Sequence, residues 1–188
     1  MKSVVASVLL LTSVVAALPS IHGMYLIYAF ISSLTLTLSS ARPYRRANQI
    51  IPVVVGGPQD TFVPNSIVAA VGDIVQFQFS NGNHTVTQST ADTACKPKEG
   101  GIHSGHIPFQ DGQADVGTFN VPVTSTEPMF LYCATGPHCQ EGQVMIVNAQ
   151  SAQQVAEYSK LSQASKESVD GTNVVGGTAG KISLATAA

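Results

Sequence analysis

Between Gln49 and Asn148 the apolar residues come in short bursts broken by turn residues, not at helical spacing. Ile50 to Val55 is one burst, stopped by Gly56-Gly57-Pro58. Ile67 to Val71 is a second, stopped by Gly72-Asp73. Ile74-Val75-Gln76-Phe77-Gln78-Phe79 then alternates strictly, which predicts a strand with Val75, Phe77 and Phe79 on one face. Ser80 to Asn83 reads as a turn, and His84 to Gln88 as extended chain. Residues 91–115, rich in Gly, Pro, His and polar side chains, predict a long irregular excursion. Val116–Val121, Met129–Cys133 and Gln143–Val147 predict further strands. Roughly six to eight strands in about a hundred residues, with no helix between them, point to an all-β Greek-key β-sandwich. A wholly parallel sheet would need crossover helices that this stretch does not contain.

The pattern changes at both ends. Asn148 to Leu161 suits one short C-terminal helix, with Ala152, Val155, Ala156 and Ser159 on a weak stripe. From Ser162 onward Ser, Gly, Thr and Ala dominate, and a flexible tail is expected. At the start, Lys2 precedes an apolar core from Val4 to Ala17 with small residues at its end, the layout of a signal peptide. A second apolar run, Met24 to Leu38, closes on Arg42, Arg45 and Arg46. Two spans would leave those arginines and the rest of the chain in the cytosol, so no stable membrane span is expected in the mature form. Two readings of the segment stay open. One is a leader trimmed at Arg45-Arg46. The other is a retained intron opening at Gly23-Met24-Tyr25, which can be encoded with the splice-donor hexamer GTATGT. The expected organisation is residues 1–46 as leader or aberrant insert, 47–150 as the sandwich, and 151–188 as helix and low-complexity tail.

Charge and composition narrow the function classes. Charged residues make up 11% of the 188 and the formal net charge is −2, which excludes a nucleic-acid partner. GxSxG elbow, zincin helix and P-loop are all missing, and the chain is expected not to be an enzyme.

The chemistry gathers in Tyr132-Cys133-Ala134-Thr135-Gly136-Pro137-His138-Cys139-Gln140-Glu141-Gly142-Gln143. With three cysteines, an exported chain has one left over, and counting alone does not say which two bond. Cys133 ends a strand, and a short turn can return His138 beside it. A thiolate, two imidazoles and a weak axial donor are what a copper ion needs to gain and lose an electron in a fixed frame. His84, at a strand edge, is available as the second imidazole. Gln143 can offer an amide oxygen on the axis.

These residues resemble the cupredoxins, or small blue copper proteins, and are most similar to the phytocyanins and the fungal extracellular cupredoxin-like serine-rich proteins. The likeness covers about Ile50 to Gln150. It rests on Ala69-Ala70-Val71-Gly72-Asp73-Ile74-Val75, on Asn83-His84-Thr85-Val86, and on Tyr132-Cys133 followed by His138-Cys139 and Gly142-Gln143. It implies one type 1 copper held by His84, Cys133, His138 and Gln143. Position 143 is the family's axial site, taken by Gln as in stellacyanin-type members; Met145 lies two residues too late. It also implies a Cys95–Cys139 disulfide, the pair left once Cys133 is a ligand, closing a loop of roughly 44 residues worth about 4 kcal/mol on the chain-entropy model. In phytocyanins Asn generally follows the first His; here Thr85 follows and Asn83 precedes.

The implied function is secreted one-electron transfer, with a redox protein or a small-molecule reductant as partner. The alternative is an extracellular or wall-associated binding module in which copper is structural, scavenged or absent. A multicopper oxidase is excluded, because no His-x-His pair occurs. Asn83-His84-Thr85 is also a glycosylation sequon, for which a structural role of Asn83 linking loops is favoured. His103 and His106 form His-x2-His in a Gly-rich loop without a nearby carboxylate or thiol framework, and are expected to be solvated.

Overall fold

The structure, a computed structural model, describes residues 46–188. The expected signal peptide and the second apolar run lie outside the described residues. The strictly alternating stretch becomes β4 (Ile74–Ser80), the central strand of a five-stranded sheet. It is flanked by β1 (Ile50–Gly56), parallel to it, and β8 (Asp115–Pro122), antiparallel. β2 (Thr61–Val63) pairs antiparallel with β1 and closes one edge. β11 (Thr178–Ser183) pairs antiparallel with β8 and closes the other. The second sheet has the order β3-β10-β9-β6, from β3 (Ser66–Ile67), β10 (Val144–Val147), β9 (Met129–Tyr132) and β6 (Thr87–Ser89). A small ladder of β5 (Asn83–His84) with β7 (Ile107–Pro108) ties the excursion to the sandwich.

Alternation decides what each sheet buries. Val53, Val55, Val75, Phe77, Phe79, Phe119 and Val121 face Val86, Leu131, Cys133, Met145 and Val147 across the sandwich. Residues of opposite parity on β9 and β10, namely Phe130, Tyr132, Val144 and Ile146, form a second core on the outer face of their sheet. That face is covered by α1 (Ala152–Gln163). Both faces of these strands are therefore dry, which explains their continuous rather than alternating hydrophobicity. Ser151 caps α1 by accepting from the Gln154 backbone N–H at 3.2 Å. Tyr158 packs edge-on to Phe130 at 5.0 Å and its hydroxyl meets Ser89 Oγ at 2.6 Å. Burying this ring contributes about 2 kcal/mol.

Several expectations need correction. Of the second burst only Ile67 pairs, together with Ser66 before it; Val68 to Val71 run on as loop and turn. That loop is held by polar groups instead. The Asp73 carboxylate accepts from the backbone N–H of Ala70 at 2.8 Å and of Gln49 at 3.0 Å, and meets Arg46. The Asn148 side chain accepts from the Ala69 N–H at 2.8 Å. β2 was not anticipated, being three residues long. The expected flexible tail is instead docked. β11 supplies backbone partners to the β8 edge, and Val169 N–H donates to the Cys95 carbonyl at 2.8 Å. Small polar residues carry no pattern for such pairing, because an edge strand's ladder is made by its backbone. No helix among the described residues is long and apolar enough to cross a membrane.

Candidate metal centre

The site sits where three loops meet at one end of the sandwich. The apolar parity of β9 drives the Cys133 side chain inward just past the strand's end, where it is fully buried. The turn after it closes through His138 N–H to the Thr135 carbonyl at 3.1 Å and Gln143 N–H to the His138 carbonyl at 2.8 Å. Those bonds return His138 to the thiol, with 18% of its side chain exposed. The structure bonds Cys95 to Cys139, beside His138, and leaves Cys133 as the free, buried cysteine among the described residues. The ladder of β5 and β7 presents His84 from the opposite side, fully buried.

The donor atoms converge. Cys133 Sγ lies 3.8 Å from His84 Nδ1 and 3.6 Å from His138 Nδ1. One donor atom from each of the three residues falls within 4.8 Å of the others. Gln143, also fully buried, places Oε1 at 3.1 Å from His84 Nδ1. Its amide N–H donates to the Thr61 carbonyl at 3.4 Å, which turns the oxygen toward the imidazole. Met145, by contrast, is part of the inter-sheet core. All four residues singled out in the sequence are thus brought together.

The surroundings favour an acceptor-rich, dry pocket. Thr85 N–H donates to Cys133 Sγ at 3.4 Å, and Thr85 Oγ1 accepts from Ala134 N–H at 2.8 Å. The threonine after His84 therefore links the two ligand loops and supports a sulfur anion. Asn83 reaches outward instead, to His106 Nδ1 at 3.4 Å. Burial pushes the Cys133 thiol above its ordinary value, partly offset by backbone N–H groups of Thr85 and Thr135. Burial, and then the neighbouring His138, hold the His84 imidazole below its ordinary value and so neutral. A neutral imidazole is the form that binds metal.

A soft thiol with two imidazole nitrogens and one weak oxygen donor suits copper in a His2Cys arrangement, and the residues fit that ion. Thr85 already directs an N–H to the sulfur, where a thiolate bound to a metal would need it.

The chain is 36% identical over 92 residues to "Probable GPI-anchored cupredoxin-1" of Arthroderma benhamiae, a match covering 49% of this chain and 46% of that protein. It is 35% identical over 136 residues to "Extracellular serine-rich protein" of the same organism, covering 71% and 53%. The chain is similar to these two proteins, one of them named a probable cupredoxin. It spans about half the length of the curated relatives it matches. No protein-family model matches it. Among solved structures, a purple cupredoxin from Nitrosopumilus maritimus overlaps 52% of this chain and 96% of its own, at 14% identity and a TM-score of 0.37. Plastocyanin from Dryopteris crassirhizoma overlaps 51% and 96%, at 20% identity and a TM-score of 0.37.

Two features of the site, and one cluster apart from it, do not show in the sequence. The first is Gly56, whose φ of 106° and close approach leave no room for a side chain. A Cβ there would lie 2.0 Å from the Ser80 carbonyl and 2.7 Å from His84 Nε2. Its Gly-Gly-Pro context signalled a turn but not this approach. The second is Asp60, which faces both ligand imidazoles. The third is a separate cluster: His103 and His106 are not simply solvated. His103 is largely buried, with Nδ1 at 3.0 Å from Thr87 Oγ1. His106 Nε2 meets Asp170 Oδ2 at 2.7 Å, and Asp170 Oδ1 lies 3.6 Å from His103 Nε2. The carboxylate comes from 64 residues further along the chain, so no local pattern marks it.

Proposed function

We propose that this chain carries one type 1 copper on His84, Cys133, His138 and Gln143 and uses it for one-electron transfer. The observation that supports this most directly is the convergence of Cys133 Sγ with two imidazole Nδ1 atoms at 3.8 and 3.6 Å. When bound, copper would supply a centre that alternates between Cu(I) and Cu(II). The chain's own residues do the rest. Burial of Cys133, His84 and Gln143 excludes water from the donors. The Thr85 N–H stabilises the sulfur anion that forms when Cys133 gives up its proton. The two packed sheets hold the donors in one arrangement, so little has to move when charge changes. His138 is the partly exposed imidazole and offers the route to a partner, a redox protein or a small-molecule reductant. An extracellular or cell-surface setting fits the Cys95–Cys139 bond and the names of the relatives.

The test is an absorption spectrum of the purified chain loaded with Cu(II). An intense thiolate-to-copper band is expected, and Cys133→Ser should abolish it. A chain that stays colourless with Cys133 reduced defeats the reading. The relatives' names speak of anchorage and a serine-rich extracellular protein, not of electron transfer. That favours, as a second reading, a surface module that holds copper without cycling it. Voltammetry separates the two, since only the first requires a reversible couple.

A further inference from the structure

We infer that Asp60 is a positioning residue for both imidazoles of the proposed centre, a single carboxylate spanning their distal nitrogens; this rests on the copper reading above. Asp60 Oδ1 lies 3.4 Å from His84 Nε2, and Asp60 Oδ2 lies 3.9 Å from His138 Nε2. The two rings are neighbours, with centroids 5.0 Å apart and planes tilted by 41°. One oxygen therefore faces each ring.

With a metal on each Nδ1, the tautomer calls for an acceptor at each Nε2. If Nδ1 of each ring faces the metal, the neutral imidazole carries its proton on Nε2, and that N–H needs an acceptor. His84 Nε2 is buried and has no hydrogen-bond partner within normal geometry. The Asn81 backbone also lies within reach of the His84 ring, and the glycines at 56 and 82 bring the chain close to this nitrogen. A Cβ at Gly56 would lie 2.7 Å from this nitrogen, and one at Gly82 would lie 3.3 Å from it. Asp60 is the acidic side chain at hand. It is held there by an unusual backbone, with φ of 47°, in the turn joining β1 to β2. Its N–H donates to the Gly57 carbonyl at 3.3 Å. The next residue, Thr61, holds the Gln143 amide through its carbonyl. One turn thus addresses three of the four proposed ligands. A negative charge on the far side of both rings increases ligand basicity and favours the more highly charged oxidation state.

The test uses Asp60→Asn in the full chain. Asn keeps the side-chain shape and tolerates the left-handed backbone. Asp60→Gly, which suits the same φ, replaces it if the Asn variant fails to fold. Two quantities are measured. In the metal-free chain, ring 15N shifts of His84 and His138 report the surroundings of each Nε2, whichever nitrogen carries the proton. In the copper-loaded chain, voltammetry reports the potential. Both Nε2 signals should shift. Cu(II) affinity should fall about tenfold, within the usual range for an outer-sphere partner of a ligand. With Cu(I) affinity unchanged, that is an upward shift of about 59 mV. Unchanged shifts with an unchanged potential overturn the inference, and so does a response from one ring only. If the unmodified chain takes no copper, the copper reading falls while the metal-free 15N comparison still decides the role of Asp60.

Discussion

Two histidine pairs lie either side of the segment from Thr85 to Thr87, and they use the same ring in opposite ways. In the first pair, His84 and His138, each Nδ1 faces the Cys133 sulfur and each Nε2 faces Asp60. In the second, His103 and His106, each Nδ1 faces a threonine hydroxyl, of Thr87 or Thr135, and each Nε2 faces Asp170. The difference is what stands opposite Nδ1. A hydroxyl satisfies a ring nitrogen completely and makes the imidazole a structural tie. In the first pair the ring nitrogens face the sulfur at 3.6 to 3.8 Å, with Gln143 Oε1 at 3.1 Å from that of His84, a set of donors that one metal ion can share. Both pairs carry a carboxylate behind or between them, so acidity nearby does not by itself distinguish a ligand from a tie.

Four experiments sharpen or break this contrast. The largest effect is expected from Gly56→Ala. It should disable the first pair alone, because the new methyl meets the Ser80 carbonyl and the His84 ring. We expect a loss of about 3 kcal/mol in urea denaturation, at the upper end of overpacking costs. Copper binding should fall with it, while a stable variant that binds copper normally would mean the approach is not tight. Asp170→Ala should loosen the second pair. Asp170 is about half exposed, so the ion-pair contribution is discounted to about 1 kcal/mol. Its clearest sign is faster proteolytic cleavage near residue 170 with the copper band retained. Gln143→Met leaves both pairs intact and replaces an oxygen donor by a softer sulfur. The potential should rise with the band kept, and an unchanged potential would remove Gln143 from the axial role.

The smallest effect is on stability against pH. Burial lowers the folded-state value for both His84 and His103, so the unfolded chain takes up protons more readily near pH 6.5. Metal-free protein should therefore lose stability as pH falls below about 6.5. Copper loading should remove the His84 share and leave that of His103. The carboxyl of Asp73, held low by the Gln49 and Ala70 N–H groups, adds a separate loss only below its ordinary value of 3.8. Equal acid sensitivity of loaded and metal-free protein would contradict the assignment of the two pairs.

The sandwich, and the grouping of Cys133, His138 and Gln143 in one loop, could be read from the chain because their signals are local. Val75, Phe77 and Phe79 announce a strand by alternation alone, and Cys133, His138 and Gln143 lie within one turn of each other. What could not be read depends on residues far apart in sequence. Asp170 meets His106 across 64 positions, and β11 pairs through its backbone with residues 115–120. Gly56 looked like ordinary turn punctuation, because sequence shows a missing side chain but not what would have occupied its place. Asp60 is a single acid in a turn, and only the fold brings it behind both rings.

The burial of a free Cys133 in a chain that also carries the Cys95–Cys139 bond has a consequence for how the molecule is made. In the finished fold, no outside thiol reaches the Cys133 sulfur, and burial keeps it protonated until a metal draws the proton away. Before the sheets close, all three sulfurs are open, and Cys133 can be oxidised onto either neighbour. Closure of the sandwich must therefore outrun oxidation, or an ion must occupy Cys133 first. Material refolded under air should contain scrambled isomers that reducing shuffle buffers convert to the native form, and copper supplied too early, as an oxidant, would trap them.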